Sequence, residues 1–279
     1  MCIRDSYKTE WIEAINQDFG HRSKDETLLM ELMQAQDLIK FVSKNLRKWM
    51  RPKSRSSGLL NIPVRSKIFF QPVGVVGIIS PWNYPIDLTL SPLVYAVATG
   101  NRVMIKPSEH TPKTSKLLQT LVSKYFDIEH VAVCCGDINV GIEFSKLPFD
   151  HLMFTGSTST GKLVMAEAAR NLTPVTLELG GKSPTIIGEE ADIPSAARRI
   201  CFGKSINSGQ TCIAPDHIYI PKNKVDEFVK EYKKSFKKMY PNGEKDQGYT
   251  CIINDFHINR IQNLITDAKE KGAKIEEVV

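Results

Sequence analysis

Leu28, Leu32, Ala35, Ile39, Val42, Leu46 and Trp49 recur at alternating four- and three-residue steps. That spacing places them on one face of a long helix, a packing element. Pro52 ends it, because proline has no N–H and clashes with the preceding turn. A helical region therefore opens the chain. Met1 to Ser6 fit no helical pattern and need not be the native start. Residues 53–72 break the pattern with a serine-rich stretch, Ile62-Pro63-Val64 and Lys67-Ile68-Phe69-Phe70. They read as a loop and hairpin, an edge suited to subunit contact.

From Val73 short β-branched runs alternate with amphipathic ones. Val73–Ser80, Arg102–Lys106, His130–Cys135, His151–Thr155 and Pro174–Leu179 read as strands. Between them, 85–100 reads as a helix stopped by Gly100, and Thr111-Pro112 opens a helix to Phe126 with proline in its first turn. Ile138–Ser145 and Thr158–Asn171 complete the set. Five strands alternating with helices imply an α/β, mostly parallel, doubly wound sheet. Ligands of such sheets gather at the carboxyl ends of the strands.

After Gly181 a second α/β unit begins: a strand at 184–187, a helix at 192–207 and a strand at 216–220. Val225, Phe228, Val229, Tyr232, Phe236 and Met239 then line a helix face, with Lys230, Lys233, Lys234, Lys237 and Lys238 forming its solvated side. Glu276 to Val279 look like the start of a further strand. The organisation is thus N-terminal helices over 1–52, a hairpin over 53–72, a sheet domain over 73–180 and a second domain over 181–279.

Composition narrows the function classes. Hydrophobic residues make up 42% of 279, enough for a real core. The net charge of +6 is dispersed and not interleaved with aromatics, which suits an anionic ligand better than nucleic acid. None of the six cysteines forms a C-x-x-C or zinc-like spacing, so metal ligation and a disulfide framework are not expected. Cys134-Cys135 ends a strand-like run, where buried free thiols are common. A reducing compartment, the cytoplasm, is the default. No window is long and apolar enough to span a membrane, and no signal-peptide core is visible.

Five strings can carry chemistry, each with a bland reading beside it. Phe154-Thr155-Gly156-Ser157-Thr158-Ser159-Thr160-Gly161-Lys162 runs from strand to helix, and N–H groups at a helix start bind phosphate. It resembles a P-loop, but Leu163 stands where a magnesium-binding hydroxyl is needed. There is no G-x-G-x-x-G, and an ordinary strand–helix turn is as good a reading on spacing alone. Cys212, in Asn207-Ser208-Gly209-Gln210-Thr211-Cys212, is the one cysteine in a glycine-rich polar loop, the setting a thiolate nucleophile needs. Taken alone, a structural cysteine is the commoner case. Glu178, in Leu177-Glu178-Leu179-Gly180-Gly181-Lys182, sits at a strand end among leucines. Partial desolvation there would raise its pKa and suit a general base. The alternative is a glutamate paired with a lysine or backbone amides. Gly180-Gly181 allow close approach of another chain or a flat ring. Asn83, in Ser80-Pro81-Trp82-Asn83-Tyr84-Pro85, can donate to an oxyanion or cap the next helix. Lys106 and Glu109, in Lys106-Pro107-Ser108-Glu109, can hold ribose hydroxyls or form a surface ion pair.

Taken in order, Pro-Trp-Asn, Lys-Pro-Ser-Glu, Phe-Thr-Gly-Ser-x-x-x-Gly, Leu-Glu-Leu-Gly-Gly-Lys-Ser-Pro and Gly-Gln-x-Cys resemble the aldehyde dehydrogenase superfamily, from about Trp11 onward. The stretches 171–184 and 212–216 are most similar to its class 3 branch, especially coniferyl-aldehyde dehydrogenases. The resemblance implies a Rossmann-type five-stranded NAD(P) domain plus a catalytic α/β domain. It implies that Cys212 attacks the aldehyde, that Asn83 and the Cys212 N–H hold the oxyanion, and that the thiohemiacetal yields hydride to nicotinamide and becomes a thioester. Glu178 then activates water to release the acid. Lys106 and Glu109 are implied at the adenosine ribose, Gly156, Ser157 and Gly161 at the pyrophosphate turn, Trp82 along the cofactor channel, and Leu179 and Gly180 beside the nicotinamide. NAD is expected, with NADP also accommodated, since Glu109 would repel a 2′-phosphate. A small aldehyde substrate and a homodimeric complete protein follow.

Family members continue past position 279 into a Glu-x-Phe-Gly-Pro motif and a closing C-terminal segment. The resemblance therefore implies a fragment with an incomplete catalytic domain. Acylating relatives that pass the thioester to coenzyme A generally lack a base at the Glu178 position. A non-catalytic truncated copy is the other competing expectation.

Overall fold

The computed structural model describes residues 7–277. The expected strand at 276–279 lies partly outside them; the described part, through 277, is not a strand. In chain order the elements begin with α1 (Lys8–Phe19), α2 (Lys24–Thr27), a π-turn (Leu28–Leu32) and α3 (Met33–Trp49). They continue with β1 (Lys53–Arg55), β2 (Ser66–Ile68), β3 (Val75–Ile79), α4 (Asp87–Ala98), β4 (Arg102–Lys106), α5 (Pro112–Tyr125) and β5 (Val131–Val133). Then come α6 (Ile138–Ser145), β6 (His151–Gly156), α7 (Thr158–Ala169) and β7 (Val175–Leu179). The last are β8 (Pro184–Ile186), α8 (Ile193–Ser205), β9 (His217–Tyr219), α9 (Val225–Met239) and α10 (Asp255–Glu270).

The chain divides into two compact units. The first holds Glu31–Glu109 and Ser115–Glu178; the second holds Tyr7–Met30, His110–Thr114 and the chain from Leu179 onward. The N-terminal helical region is therefore shared between them.

In the first unit a five-stranded parallel sheet runs β5-β4-β3-β6-β7. The five expected strands are these five: β4 has the expected bounds, β6 runs one residue further, and β3, β5 and β7 are shorter. Val76, Ile78, Val103, Ile105, Val131, Leu152 and Phe154 are buried along it. Apolar strands of this kind form where both faces of a parallel sheet are covered. Leu93 and Ala96 of α4, Leu118, Leu121 and Val122 of α5, Phe144 of α6, and Val164 and Ala168 of α7 add buried apolar surface to this core. Gly77 lies on the central strand, where an added Cβ would sit 2.6 Å from the Phe149 ring and 2.8 Å from Leu152. Gly100 ends α4 with φ of 84°, a left-handed value that glycine adopts without steric penalty.

The long N-terminal helix is interrupted by the π-turn rather than continuous from Leu28. Of its expected face, Leu32, Ala35 and Val42 are buried, whereas Ile39 and Trp49 stay partly exposed. β1 and β2 form the expected antiparallel hairpin pair, Lys53 opposite Ile68. Its apolar residues Leu59, Leu60, Ile62, Phe69 and Phe70 are exposed.

In the second unit β8 and β9 pair in parallel, Pro184 with His217 and Ile186 with Tyr219. Helix α8, capped by the Asp192 side chain on Ser195 N, packs with α9 around Ile187, Ile193, Ala197, Ile200 and Phe228. The lysine side of α9 is solvated: Lys230, Lys234, Lys237 and Lys238 are exposed. Helix α10 was not expected from the sequence. It buries no residue, although Ile258, Ile261, Leu264, Ile265 and Ala268 lie at helical spacing. Among the described residues, no helix is long and apolar enough to cross a membrane.

Candidate functional site

In the first unit the strand order reverses direction between β3 and β6. In open α/β sheets that switch point, at the carboxyl ends, is where a crevice forms. The loop leaving β3 carries Trp82 and Asn83, both half-buried. It is fixed at both ends. Ser80 N donates to Lys106 O at 3.1 Å, extending the β3–β4 pairing. Thr89 Oγ1 lies 2.7 Å from both Ser80 Oγ and Pro85 O. Beyond the loop, the fully buried Glu31 carboxylate accepts from Ile86 N at 2.6 Å and Asp87 N at 3.2 Å. A carboxylate there satisfies two orphan donors and meets the positive end of the helix dipole. The α4 cap itself shows no side-chain cap from its own flanking residue. Glu31, from more than fifty residues earlier in the chain, thus caps this helix start.

On the other side of the switch point β6 runs through Gly156 into Ser157, which caps α7 by accepting from Thr160 N at 3.1 Å. Ser157 Oγ also lies 2.8 Å from Thr160 Oγ1. Gly161, in the first turn of α7, is buried, and its N donates to Ser157 O at 2.8 Å. At the end of β4, Lys106 Nζ meets Glu109 Oε2 at 2.6 Å. This is not a simple surface ion pair, because the Lys106 side chain is only 3% exposed. Lys106, Glu109, Trp82, Asn83, Gly156 and Ser157 therefore all lie at carboxyl ends of one sheet.

Glu178 is on β7, the edge strand, and its side chain is exposed. The expected desolvation of this carboxylate is absent from the chain as described. An edge strand has a neighbour on only one side, and alternate residues along β7 face solvent. Nor does Lys182 pair with it: Lys182 Nζ contacts Asp216 Oδ1 at 2.6 Å.

Leu179 and Gly180 open the second unit. A Cβ on Gly180 would meet nothing within 4 Å, whereas one on Gly181 would sit 3.3 Å from the carbonyl oxygen of Cys212. The close approach expected at the glycine pair is thus made, at Gly181, by the backbone of the candidate nucleophile. Asp216 N donates to Ser183 O at 2.9 Å, and the two segments run on together as β8 and β9.

Cys212 is exposed. It follows three consecutive left-handed residues, Asn207 (φ 50°), Ser208 (φ 52°) and Gly209 (φ 73°). For non-glycine residues this region costs roughly 1–2 kcal/mol each, so neighbouring contacts must hold it. They do. Glu26 Oε1 accepts from Asn207 N at 3.1 Å, and Glu26 Oε2 accepts from Thr250 Oγ1. Ser208 Oγ donates to Thr250 O. Gln210 Nε2 donates to Asn207 O at 2.9 Å and Cys251 O at 3.0 Å, while its Oε1 accepts from Ile253 N at 3.0 Å. Glu26, Asn207 and Thr250 are buried. Burial pushes the Glu26 carboxyl above its ordinary range, against hydrogen bonds from Thr250 and Asn207 that lower it. Glu26, Glu31 and Thr250 were not singled out in the sequence. Nothing local marks them, since each acts on a segment far along the chain.

The other cysteines differ in setting. Cys134 is half-buried and Cys135 exposed, not the buried pair expected, because β5 ends at Val133. Cys201 is buried, and burial raises its thiol pKa. All five described cysteines are free. Among the described residues no group of three metal-ligating side chains comes together.

A parallel sheet with a helix N-terminus at its switch point, joined to a unit that presents an exposed thiol, defines a doubly wound α/β protein with cysteine chemistry available. The chain belongs to the aldehyde dehydrogenase family, whose model matches residues 5–277. It is 51% identical over 264 residues to the "Probable coniferyl aldehyde dehydrogenase" of Pseudomonas aeruginosa, covering 95% of this chain and 56% of that protein. The substrate-bound Staphylococcus aureus AldH structure superposes with a TM-score of 0.91 at 38% identity, over 96% of this chain and 58% of that one. A Mycobacterium tuberculosis aldehyde dehydrogenase complexed with NAD+ gives 0.87 at 26% identity, over 98% and 56%. The chain thus spans little more than half the length of these relatives.

Proposed function

We propose that this chain supplies the nucleophile, the base and the dinucleotide-binding sheet of an NAD(P)-dependent aldehyde dehydrogenase that oxidises an aldehyde to a carboxylic acid. The observation that carries the reading is the exposed Cys212, presented by a braced left-handed turn in a chain of this family. The Pseudomonas aeruginosa relative makes coniferyl and related aromatic aldehydes the first substrates to try.

The donor set suits a dinucleotide. The first-turn amides of α7 beside Gly156 and Ser157 offer N–H groups to a pyrophosphate. Lys106 and Glu109 offer a donor and an acceptor to vicinal ribose hydroxyls, and the Glu109 carboxylate favours NAD over a 2′-phosphorylated cofactor. Trp82 and, at the start of the second unit, Leu179 and Gly180 are assigned to the nicotinamide end. The nicotinamide, when bound, supplies the hydride acceptor.

The residues of the chain do the rest. Cys212 Sγ adds to the aldehyde carbonyl and forms a thiohemiacetal. The Asn83 side-chain amide and the Cys212 N–H stabilise its oxyanion. After oxidation to the thioester, the Glu178 carboxylate takes a proton from water, which attacks the acyl carbon and frees the acid and the thiol. The exposed apolar hairpin around Leu59 and Leu60 is assigned to pairing of two subunits, and the free thiols fit the cytoplasm.

The test is Cys212→Ser in the complete protein, assayed for cofactor reduction with coniferyl-type and aliphatic aldehydes. Loss of reduction with dinucleotide binding retained supports the reading, and full activity overturns it. An acyl–coenzyme A product in place of free acid would move the chain to the acylating class.

A further inference from the structure

The second unit places a buried carboxylate from the N-terminal region against the turn that carries Cys212. Three features converge there. The turn is conformationally costly, with two non-glycine left-handed residues followed by Gly209. A Cβ on Gly209 would lie 3.0 Å from Lys204 O, a tight contact with backbone, at a φ of 73° that is strained for any side chain. The contacts that hold it come from outside the loop: Glu26 reaches Asn207 N, and Thr250 links Glu26 to Ser208. Thr250 Oγ1 also accepts from Ser23 N at 3.2 Å, which ties the N-terminal segment to the same point.

We infer that Glu26 is a positioning residue for Cys212, acting with Thr250 to hold the Asn207–Gly209 turn in its left-handed form and so to fix the nucleophile's approach. Only four residues separate Asn207 from Cys212. A turn that relaxes at Asn207 changes the direction in which the chain leaves α8 and shifts the Cys212 backbone, whose carbonyl packs against Gly181. A misplaced backbone also moves the Cys212 N–H assigned to the oxyanion. A near-attack geometry tolerates little displacement. The catalytic consequence rests on Cys212 being the nucleophile; the bracing of the turn does not.

The experiment is amide hydrogen exchange of the wild-type protein, Glu26→Ala, Glu26→Gln and Gly209→Ala, read by peptide, with kcat and KM measured on the same samples. Gln retains an acceptor for Asn207 N and a polar group for Thr250. Glu26→Ala and Gly209→Ala should speed exchange over 207–213 by about tenfold or more, with α9 unchanged, because local opening free energies are independent of the global one. Glu26→Gln should restore most of the protection. kcat should fall in step with the loosened turn while KM for the aldehyde holds. Unchanged exchange over 207–213 in both Ala variants would overturn the inference. So would an equal acceleration in α9, which marks general destabilisation. If Cys212→Ser leaves activity intact, the nucleophile assignment fails, yet the exchange result still decides whether Glu26 braces the turn.

Discussion

The Glu31 carboxylate and the backbone N–H of Ile86 meet at 2.6 Å, across fifty-five residues of sequence. This contact caps α4 immediately after the loop that carries Trp82 and Asn83. Replacing Glu31 with Ala leaves two buried N–H groups without that acceptor, a loss of about 1–3 kcal/mol. Glu31→Gln keeps a carbonyl oxygen and should lose less. Urea unfolding midpoints of the two variants check the order, and equal stability of Ala and wild type would show that the cap contributes nothing.

Lys106 and Glu109 make a prediction about ligand affinity. Lys106→Met removes the buried ammonium beside Glu109 and one assigned donor to the ribose. A charge-assisted hydrogen bond is worth about 1.5–3 kcal/mol, so dinucleotide affinity should fall roughly 10- to 100-fold. Titration of tryptophan fluorescence with NAD measures it.

The centre of the sheet is intolerant of added volume. Gly77→Ala places a methyl 2.6 Å from the Phe149 ring on the middle strand. Overpacking of this kind costs about 1–3 kcal/mol. A thermal melt should drop accordingly, and Phe149→Leu should recover part of the loss in the double variant by making room.

Asp18 gives a pH dependence. It accepts from Lys113 N at 2.9 Å, and from Thr114 N and Thr114 Oγ1 at 2.8 and 2.7 Å. Burial nevertheless raises its pKa, with those bonds opposing. The native state therefore binds the Asp18 proton more tightly than the unfolded chain does. Its contribution is fully present below the ordinary aspartate pKa and is lost as pH rises through the raised native value. Asp18→Asn should flatten the fall in stability across that window. An unchanged slope in unfolding free energy against pH would reject the assignment.

Most of the sheet was legible because parallel strands buried on both faces leave β-branched runs of strand length, as in Val75–Ile79 and Arg102–Lys106. The ordered motifs around Asn83, Lys106, Gly156, Glu178 and Cys212 were legible as a family pattern because they keep fixed residue types in a fixed order. What escaped was long-range. Glu26 and Glu31 sit in an ordinary helical pattern, and only the fold brings them to Asn207 and Ile86. The exposure of Glu178 was misjudged because flanking leucines suggest burial, while an edge position leaves alternate side chains in water. Helix α10 was missed although Ile258, Ile261, Leu264, Ile265 and Ala268 lie at helical spacing; its apolar face stays unburied in this chain.

The bond from Thr250 to Glu26 joins residues 224 positions apart. On a ribosome the N-terminal helix emerges long before its partner is made. The segment holding Cys212 therefore reaches its braced form only after Thr250 has left the exit tunnel. Until then Cys212, the proposed nucleophile, would sit on an unbraced loop, and loop-closure entropy separates that state from the finished one. A nascent chain thus holds the turn before Cys212 without its Glu26–Thr250 brace until Thr250 has emerged.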